Sequence, residues 1–439
     1  MIIVDNLLRR RAAENRPIRV GLIGAGFMGR GLTNQIVNSV PGMKLVAIAN
    51  RSPERAIAIY NEAGVSDVKE VSRLGALEDA IRSGRAAVTA DAGLLCEAGS
   101  IDCLVDVTGA LEFGAAITLK AFACGMHLVS MNAELYATIG PLLKQRADAA
   151  GVIFTASDGD QPGVEMNLFR FVRSLGLTPL VCGNIKGLQD PYRNPTTQAG
   201  FAAKWGQNPY MVTSFADGTK ISFEQAIVAN ATGMTIARRG MVGLNHTGHV
   251  DELTKNYDVE ELRRVGGVVD YVVGSKPGPG VFVFATHDDP KQRHYLNLYK
   301  LGEGPLYSFY TPYHLCHFEV PISVARVVLL GDPVMQPLDG PPRVEVVATA
   351  KVDLNPGDTV DALGGYKTYG QCETYANSRA GRLLPMGLAE DCRVVRAVPK
   401  DQVLTYDDVE LPKNRLIDRL RAAQDRIFPA REAWSVSAS

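Results

Sequence analysis

The sequence predicts an α/β protein in three parts. A doubly wound parallel sheet spans 1–157, a central α+β domain 158–331 and a small β-rich module 343–412, with a terminal helix and tail over 413–439. Three observations carry that prediction. The apolar run Ile18–Ile23 enters a glycine-punctuated turn and then a helical stretch, Arg30 to Val40. Strand-like and helix-like segments alternate to about residue 155, which is the order of parallel βαβ units. A Pro/Gly-rich linker, Asp332 to Pro342, precedes short strands with turn signals.

The elements follow in order. Lys44–Ala49 reads as the second strand, with helices at Ala56–Ala63 and Leu74–Ser83. Ile101–Val107 is a buried strand ending at Thr108-Gly109, Phe113–Cys124 a helix, and His127–Met131 a strand ending at Asn132. Pro141–Ala150 is a helix with proline near its start, before the strand Val152–Thr155. In the central domain, helix Val164–Leu175 leads to a strand at Leu180–Cys182 and a long polar loop, Gly183–Thr197. Ser222–Ala231 is helical, and strands recur at Val268–Val273 and Gly280–Ala285. The apolar helix Val320–Leu330 is placed to return to the first domain. Arg415–Ile427 closes the chain as an amphipathic helix.

The glycine turn is Gly24-Ala25-Gly26-Phe27-Met28-Gly29. The first glycine allows the tight turn, the second lets backbone approach a pyrophosphate, and the third lets helix and strand pack closely. The helix start then points unpaired N–H groups at phosphate. This is the fingerprint of a Rossmann dinucleotide site. The second strand ends in Asn50-Arg51-Ser52, with Arg55 a turn later, where an NAD enzyme usually carries a carboxylate for the ribose hydroxyl. Guanidinium groups there favour a 2′-phosphate, so NADP(H) is expected over NAD(H). Thr108, Gly109, Asn132 and Glu134 follow later strand ends, where the nicotinamide and its ribose would lie.

Composition sets limits. With 46% hydrophobic and 21% charged residues, the 439-residue chain can bury a large core. A formal charge of −1 gives no electrostatic case for nucleic acid or an anionic membrane. No apolar run reaches spanning length, and the polar start, Met1 to Arg16, lacks a signal-peptide core. Seven scattered cysteines without a CxxC fit a reduced, cytoplasmic setting.

Two resemblances rest on longer motifs. Ala348–Gly357, Leu384–Leu388 and Lys400–Val409 look like an SAF, or antifreeze-like, domain. With Gly21–Gly29, His127–Gly140, Ala226–Gly233 and Tyr313–Leu329, the chain resembles homoserine-dehydrogenase-like oxidoreductases that carry such a domain. Their best understood branch is similar to deoxyxylulose-phosphate reductoisomerase, the DXR-like family. That resemblance implies NADPH-dependent reduction coupled to rearrangement of an α-ketol phosphate, a divalent cation (Mg²⁺ or Mn²⁺) and a homodimer. Asn132-Ala133 stands where homoserine dehydrogenases have Asn-Lys, which argues against homoserine. Alternatives are a simple dehydrogenase or oxidoisomerase of a sugar, sugar acid or amino alcohol, and a non-catalytic nucleotide-binding sensor or scaffold.

Such chemistry needs a cation or acid near the carbonyl oxygen. Lys186, in the polar loop, is the first candidate, with Lys204, Asn230, His314 and Asp160 also named as catalytic and Lys220 and Glu224 of lower weight. Arg193 could bind a phosphate or carboxylate bidentately, with Asp158 beside it on the substrate. Asp158, Asp160 and Glu165 could ligate the cation, although an aspartate there could equally cap the next helix. His246-x-x-His249 and His314-x-x-His317 have metal-like spacing but lack partner motifs, so zinc is disfavoured.

Overall fold

A computed structural model describes residues 3–429, so the end of the expected tail, 430–439, lies outside the described residues. The chain divides into two compact units. The first comprises the chain up to Tyr136, Leu142–Gly163 and Leu315–Gln336; the second comprises Ala137–Pro141, Val164–His314 and the chain from Pro337 onward.

In the first unit, seven parallel strands form one sheet: β1 Ile18–Ile23, β2 Met43–Ala49, β3 Val68–Glu70, β4 Ala86–Thr89, β5 Cys103–Asp106, β6 Leu128–Ser130 and β7 Phe154–Ala156. Their order, β3-β4-β2-β1-β5-β6-β7, reverses direction at β1, which puts the ligand crevice beyond the carboxyl end of that strand. The core is aliphatic: Val20, Leu22, Leu32, Ile36, Ile48, Val88 and Val105 are all buried. The apolar segment predicted at Val320–Leu330 lies in this unit and adds Val320, Val324 and Val327 to the same core. Its helix covers only Val320–Ala325 and continues as a π-turn, Arg326–Leu330.

Two sequence-level boundaries shift. The glycine turn feeds a helix beginning at Phe27, so Phe27, Met28 and Gly29 are helical. The helix expected from Pro141 begins at Ala133 and runs to Ala149, with the irregularity absorbed at Ile139 (φ −138°). Asn132 explains the early start, because its side chain accepts from the Leu135 N–H as a helix cap.

In the second unit, β8 Thr178–Lys186, β9 Leu244–Asn245, β10 Val268–Val273, β11 Gly280–Thr286 and β12 Tyr307–Thr311 form a mixed sheet ordered β12-β11-β8-β10-β9. β8 is therefore central, and it extends into the expected loop as far as Lys186. Gly183 makes this possible: the Phe282 ring of β11 occupies the space that a Cβ would need. Helix Pro195–Trp205 takes the loop's other end, leaving 187–194. β13 Val344–Ala350 pairs with β14 Thr368–Thr374 and β15 Arg393–Val394 with β16 Val409–Glu410, giving the small β-rich module. Helix Leu416–Ile427 ends the described chain, and its buried Arg421 pairs with Glu345 of β13.

Candidate active site

The dinucleotide half is built from backbone. Gly24 has φ +112°, in the region that favours glycine. A Cβ on Gly29 would run into the Gly24 carbonyl oxygen, so close helix–strand packing demands glycine there. Gly26 is different: nothing lies within 4 Å of its would-be Cβ. That open side, at the start of helix Phe27–Ser39, is where a pyrophosphate would approach. Asn50 shapes the turn, accepting from the Ala25 N–H at 3.2 Å and donating to the Ser52 carbonyl at 2.9 Å. Arg51 and Arg55 are exposed and no carboxylate ends β2, so the residues present suit a phosphorylated ribose.

Beyond β5, Asp106 organises the next turn. Its Oδ1 accepts from the Thr108 N–H (2.9 Å) and hydroxyl (2.7 Å). Burial pushes the Asp106 carboxyl above the usual range, against these hydrogen bonds and one from Asn132. Asn132 also donates to the Ala110 carbonyl at 3.0 Å. Thr108, Gly109 and Asn132 thus share one hydrogen-bonded corner; Glu134 is buried in the turn that follows. Asp106, the hub, was not among the sequence candidates. Its position at the end of a buried strand was the available signal.

Asp158 is corrected. It is not placed to meet a substrate or a metal; it is fully buried against Arg326, whose Nη1 lies 3.1 Å from Oδ1, and it accepts from the Ser323 hydroxyl at 3.0 Å. Arg326 is itself fully buried and also donates to Asp332 and the Pro333 carbonyl. Asp160 directly precedes helix Gln161–Ser174. Among the described residues, no group of three His, Cys, Asp or Glu side chains could hold a metal ion, so the residues present do not fit the expected site. Neither histidine pair forms one. His246 faces Glu252, His249 caps the 3₁₀ turn Val250–Asn256, and the His317 ring lies over Gly31.

The second unit holds a side-chain cluster around helix Thr219–Thr232, whose residues from Thr219 to Ala231 are all buried. Asn184 of β8 donates to Glu224 at 3.4 Å, and Gln225 donates to Glu165 at 2.9 Å. Burial, with Glu224 nearby, holds the Glu165 carboxyl well above the usual range, against the hydrogen bond from Gln225. Lys186 ends β8 rather than sitting in the loop, and it shares a sheet face with Asn184 two residues before it. Lys220 lies one turn before Glu224 on the same helix face. Sequence reasoning ranked Glu224 and Lys220 low and did not name Asn184 or Gln225. A helix polar at isolated positions yet buried all round gives no amphipathic signal.

Two further catalytic candidates make other contacts. Asn230, also on that helix, accepts from the Arg343 and Val344 N–H groups and donates to the Val344 carbonyl, so its amide is spent fastening β13. Lys204 stands at an exposed helix end over the Trp205 ring, 5.2 Å from its centroid. His314 lies outside regular structure, half-buried, before the first unit resumes at Leu315. Arg193 remains on the loop, with Nε 3.1 Å from Asp190.

These two halves match known families. Residues 18–129 match the oxidoreductase family with an NAD-binding Rossmann fold, and residues 159–320 match the catalytic domain of oxidoreductase DRL. Together the two matches support an NAD(P)-dependent oxidoreductase, in which a segment similar to NAD-binding Rossmann domains precedes one similar to the DRL catalytic domain. Neither match extends past residue 320, so the homoserine-dehydrogenase and SAF resemblances gain no support from them. No curated protein matches the chain. Solved structures similar to it include a probable dehydrogenase from Thermotoga maritima (13% identity, 72% of this chain and 90% of that one, TM-score 0.41). Others are apo scyllo-inositol dehydrogenase from Lactobacillus casei (12%, 72% and 90%, 0.41) and myo-inositol 2-dehydrogenase from Lactobacillus plantarum (12%, 72% and 91%, 0.40).

Proposed function

We propose that the protein exchanges hydride between NADP(H) and a CH–OH carbon of a small polyhydroxylated substrate, and that it rearranges an α-ketol sugar or sugar phosphate in the same turnover. The observation that carries this reading is the buried Asn184–Glu224 contact within the matched catalytic segment, with Lys186 on the same face of β8 as Asn184 and Lys220 one helical turn before Glu224. A hydride-accepting carbonyl develops alkoxide charge, and a lysine ammonium with an amide N–H stabilises it. Lys186, at the strand end, is assigned that oxygen and returns the proton on reduction. Glu224 serves as the base toward a substrate hydroxyl, the proton that an α-ketol must lose before its skeleton shifts. Arg193 binds an anionic end of the substrate.

Bound NADP(H) supplies the hydride. Gly26 and the helix start beyond it would hold the pyrophosphate, Arg51 the 2′-phosphate, and Thr108 and Asn132 the nicotinamide ribose. No step here is assigned to a divalent cation, because two of the three carboxylates expected to bind one, Asp158 and Glu165, are engaged elsewhere. A homodimer built on the second unit belongs to the same proposal.

The test is NADPH consumption with deoxyxylulose 5-phosphate, then with other α-ketol sugars, sugar acids and cyclic polyols, the products being identified by NMR. Formation of a reduced, branched product supports the full reading. Reduction without rearrangement leaves a simple dehydrogenase. Tight NADPH binding without turnover of any substrate overturns it.

A further inference from the structure

The β-rich module grips the loop 187–194 and the start of the helix that follows it, at three separate points of its own sequence. Lys351, just beyond β13, is buried, and its ammonium donates to the Arg193 carbonyl (2.7 Å), the Asp217 carboxylate (2.9 Å) and the Gly365 carbonyl (2.8 Å). All three of its protons are used, one on each of three segments. Lys400 lies over the Tyr192 ring, 3.6 Å from the centroid, while the Tyr192 hydroxyl donates to Asp401 at 2.9 Å. Tyr366 shares a hydrogen bond with Thr196 at 2.8 Å. Within the loop, Asp190 accepts from the Tyr192 N–H and from the Arg193 Nε.

The same ammonium reaches the cluster helix. Asp217 follows the preceding helix, and its other oxygen accepts from the Thr219 N–H, the first residue of helix Thr219–Thr232. Gly218 between them has φ +98°. β14 completes the attachment, its Gly370 N–H donating to the Thr219 hydroxyl at 2.9 Å.

We infer that the β-rich module is a positioning part of the enzyme's substrate side. It holds loop 187–194 in one conformation so that Arg193 presents its guanidinium to an anionic group, phosphate or carboxylate. A loop of eight residues with four exposed or half-exposed polar side chains has no core of its own to fix it. The tether from Lys351 goes to the backbone of Arg193, which leaves the guanidinium outside the tether. The inference rests on the proposed role of Arg193, and its physical half is separable from that role.

Hydrogen exchange on the full-length chain reads the tether without any substrate. Lys351→Met should speed exchange in peptides covering 187–194 by about tenfold, with β8 and β11 amides unchanged. A Lys400→Ala, Asp401→Ala double variant, at exposed positions, should speed it by about threefold and decides the question if Lys351→Met does not fold. Unchanged loop exchange in these proteins overturns the inference. In turnover, Lys351→Met and Arg193→Ala should each raise KM for a phosphorylated or carboxylated substrate about tenfold, with kcat within about twofold. Combining them should cost no more than Arg193→Ala alone, because one acts through the other. Additive losses would also overturn it. Wild-type protein without turnover sinks the proposed function, and the exchange result then stands alone on the tether.

Discussion

The glycine turn after β1 and the helix Thr219–Thr232 carry the two halves of the proposed chemistry by opposite means. The turn uses backbone: an open Gly26, a positive-φ Gly24 and a packed Gly29. The helix uses side chains, paired in the dark between Asn184, Glu224, Gln225 and Glu165. A backbone site tolerates change in every side chain except those that must be absent. A buried side-chain site depends on each member, because removing one leaves its partner's polar group unsatisfied.

The contrast can be broken or sharpened in decreasing order of effect. The largest loss should come from neither half. Arg326→Met leaves Asp158 as a buried charge without its partner and should cost about 3–5 kcal/mol of stability, read by denaturant unfolding. A loss under about 1 kcal/mol would mean that the pair is not buried in solution. Lys186→Met should lower kcat by about 10²–10³ with the NADPH Kd unchanged, the scale of losing one oxyanion donor. An equal fall in NADPH affinity would place Lys186 on the cofactor instead. Gly26→Ala meets no neighbour in the protein, so Tm should hold while NADPH affinity falls by about tenfold or more. Gly29→Ala should lower both, and equal behaviour of the two would erase the distinction drawn between them. Arg51→Ala should lower the NADPH preference over NADH by about tenfold, since one charged hydrogen bond is worth about 1.5–3 kcal/mol.

The smallest effect is a pH dependence. Glu165 has a folded-state pKa above its unfolded value, so its contribution is full below the unfolded pKa and declines as pH rises toward the folded one. Glu165→Gln keeps an oxygen for Gln225 and cannot ionise. Its Tm should therefore gain on wild type as pH rises from about 5 to 8. A Tm difference that stays flat over that range contradicts the raised pKa.

How legible each half was follows from the same contrast. Gly24, Gly26 and Gly29 could be read because they obey fixed local spacing between a strand and a helix. The parallel, doubly wound character of the sheet followed, since alternating apolar segments leave few topologies. The second half has long-range partners: Glu165 meets Gln225 sixty positions away, and Asn184 meets Glu224 forty away. No local pattern announces such pairs. Asp158 shows the cost most plainly. Its place after a strand end made it look like a ligand, while its partner Arg326 sat unnoticed in an apolar run. Asn230 misled in the same way, its partners being backbone groups of β13.

That buried pair also bears on how the chain is made. Arg326 belongs to a segment, Leu315–Gln336, that the first unit recovers after an excursion through the whole of Val164–His314. A nascent chain stopped at Gly163 holds Asp158 without its guanidinium and lacks Val320, Val324 and Val327 from its core. The dinucleotide unit therefore cannot finish as an independent early product of the ribosome. Its completion waits on the synthesis of the domain inserted within it.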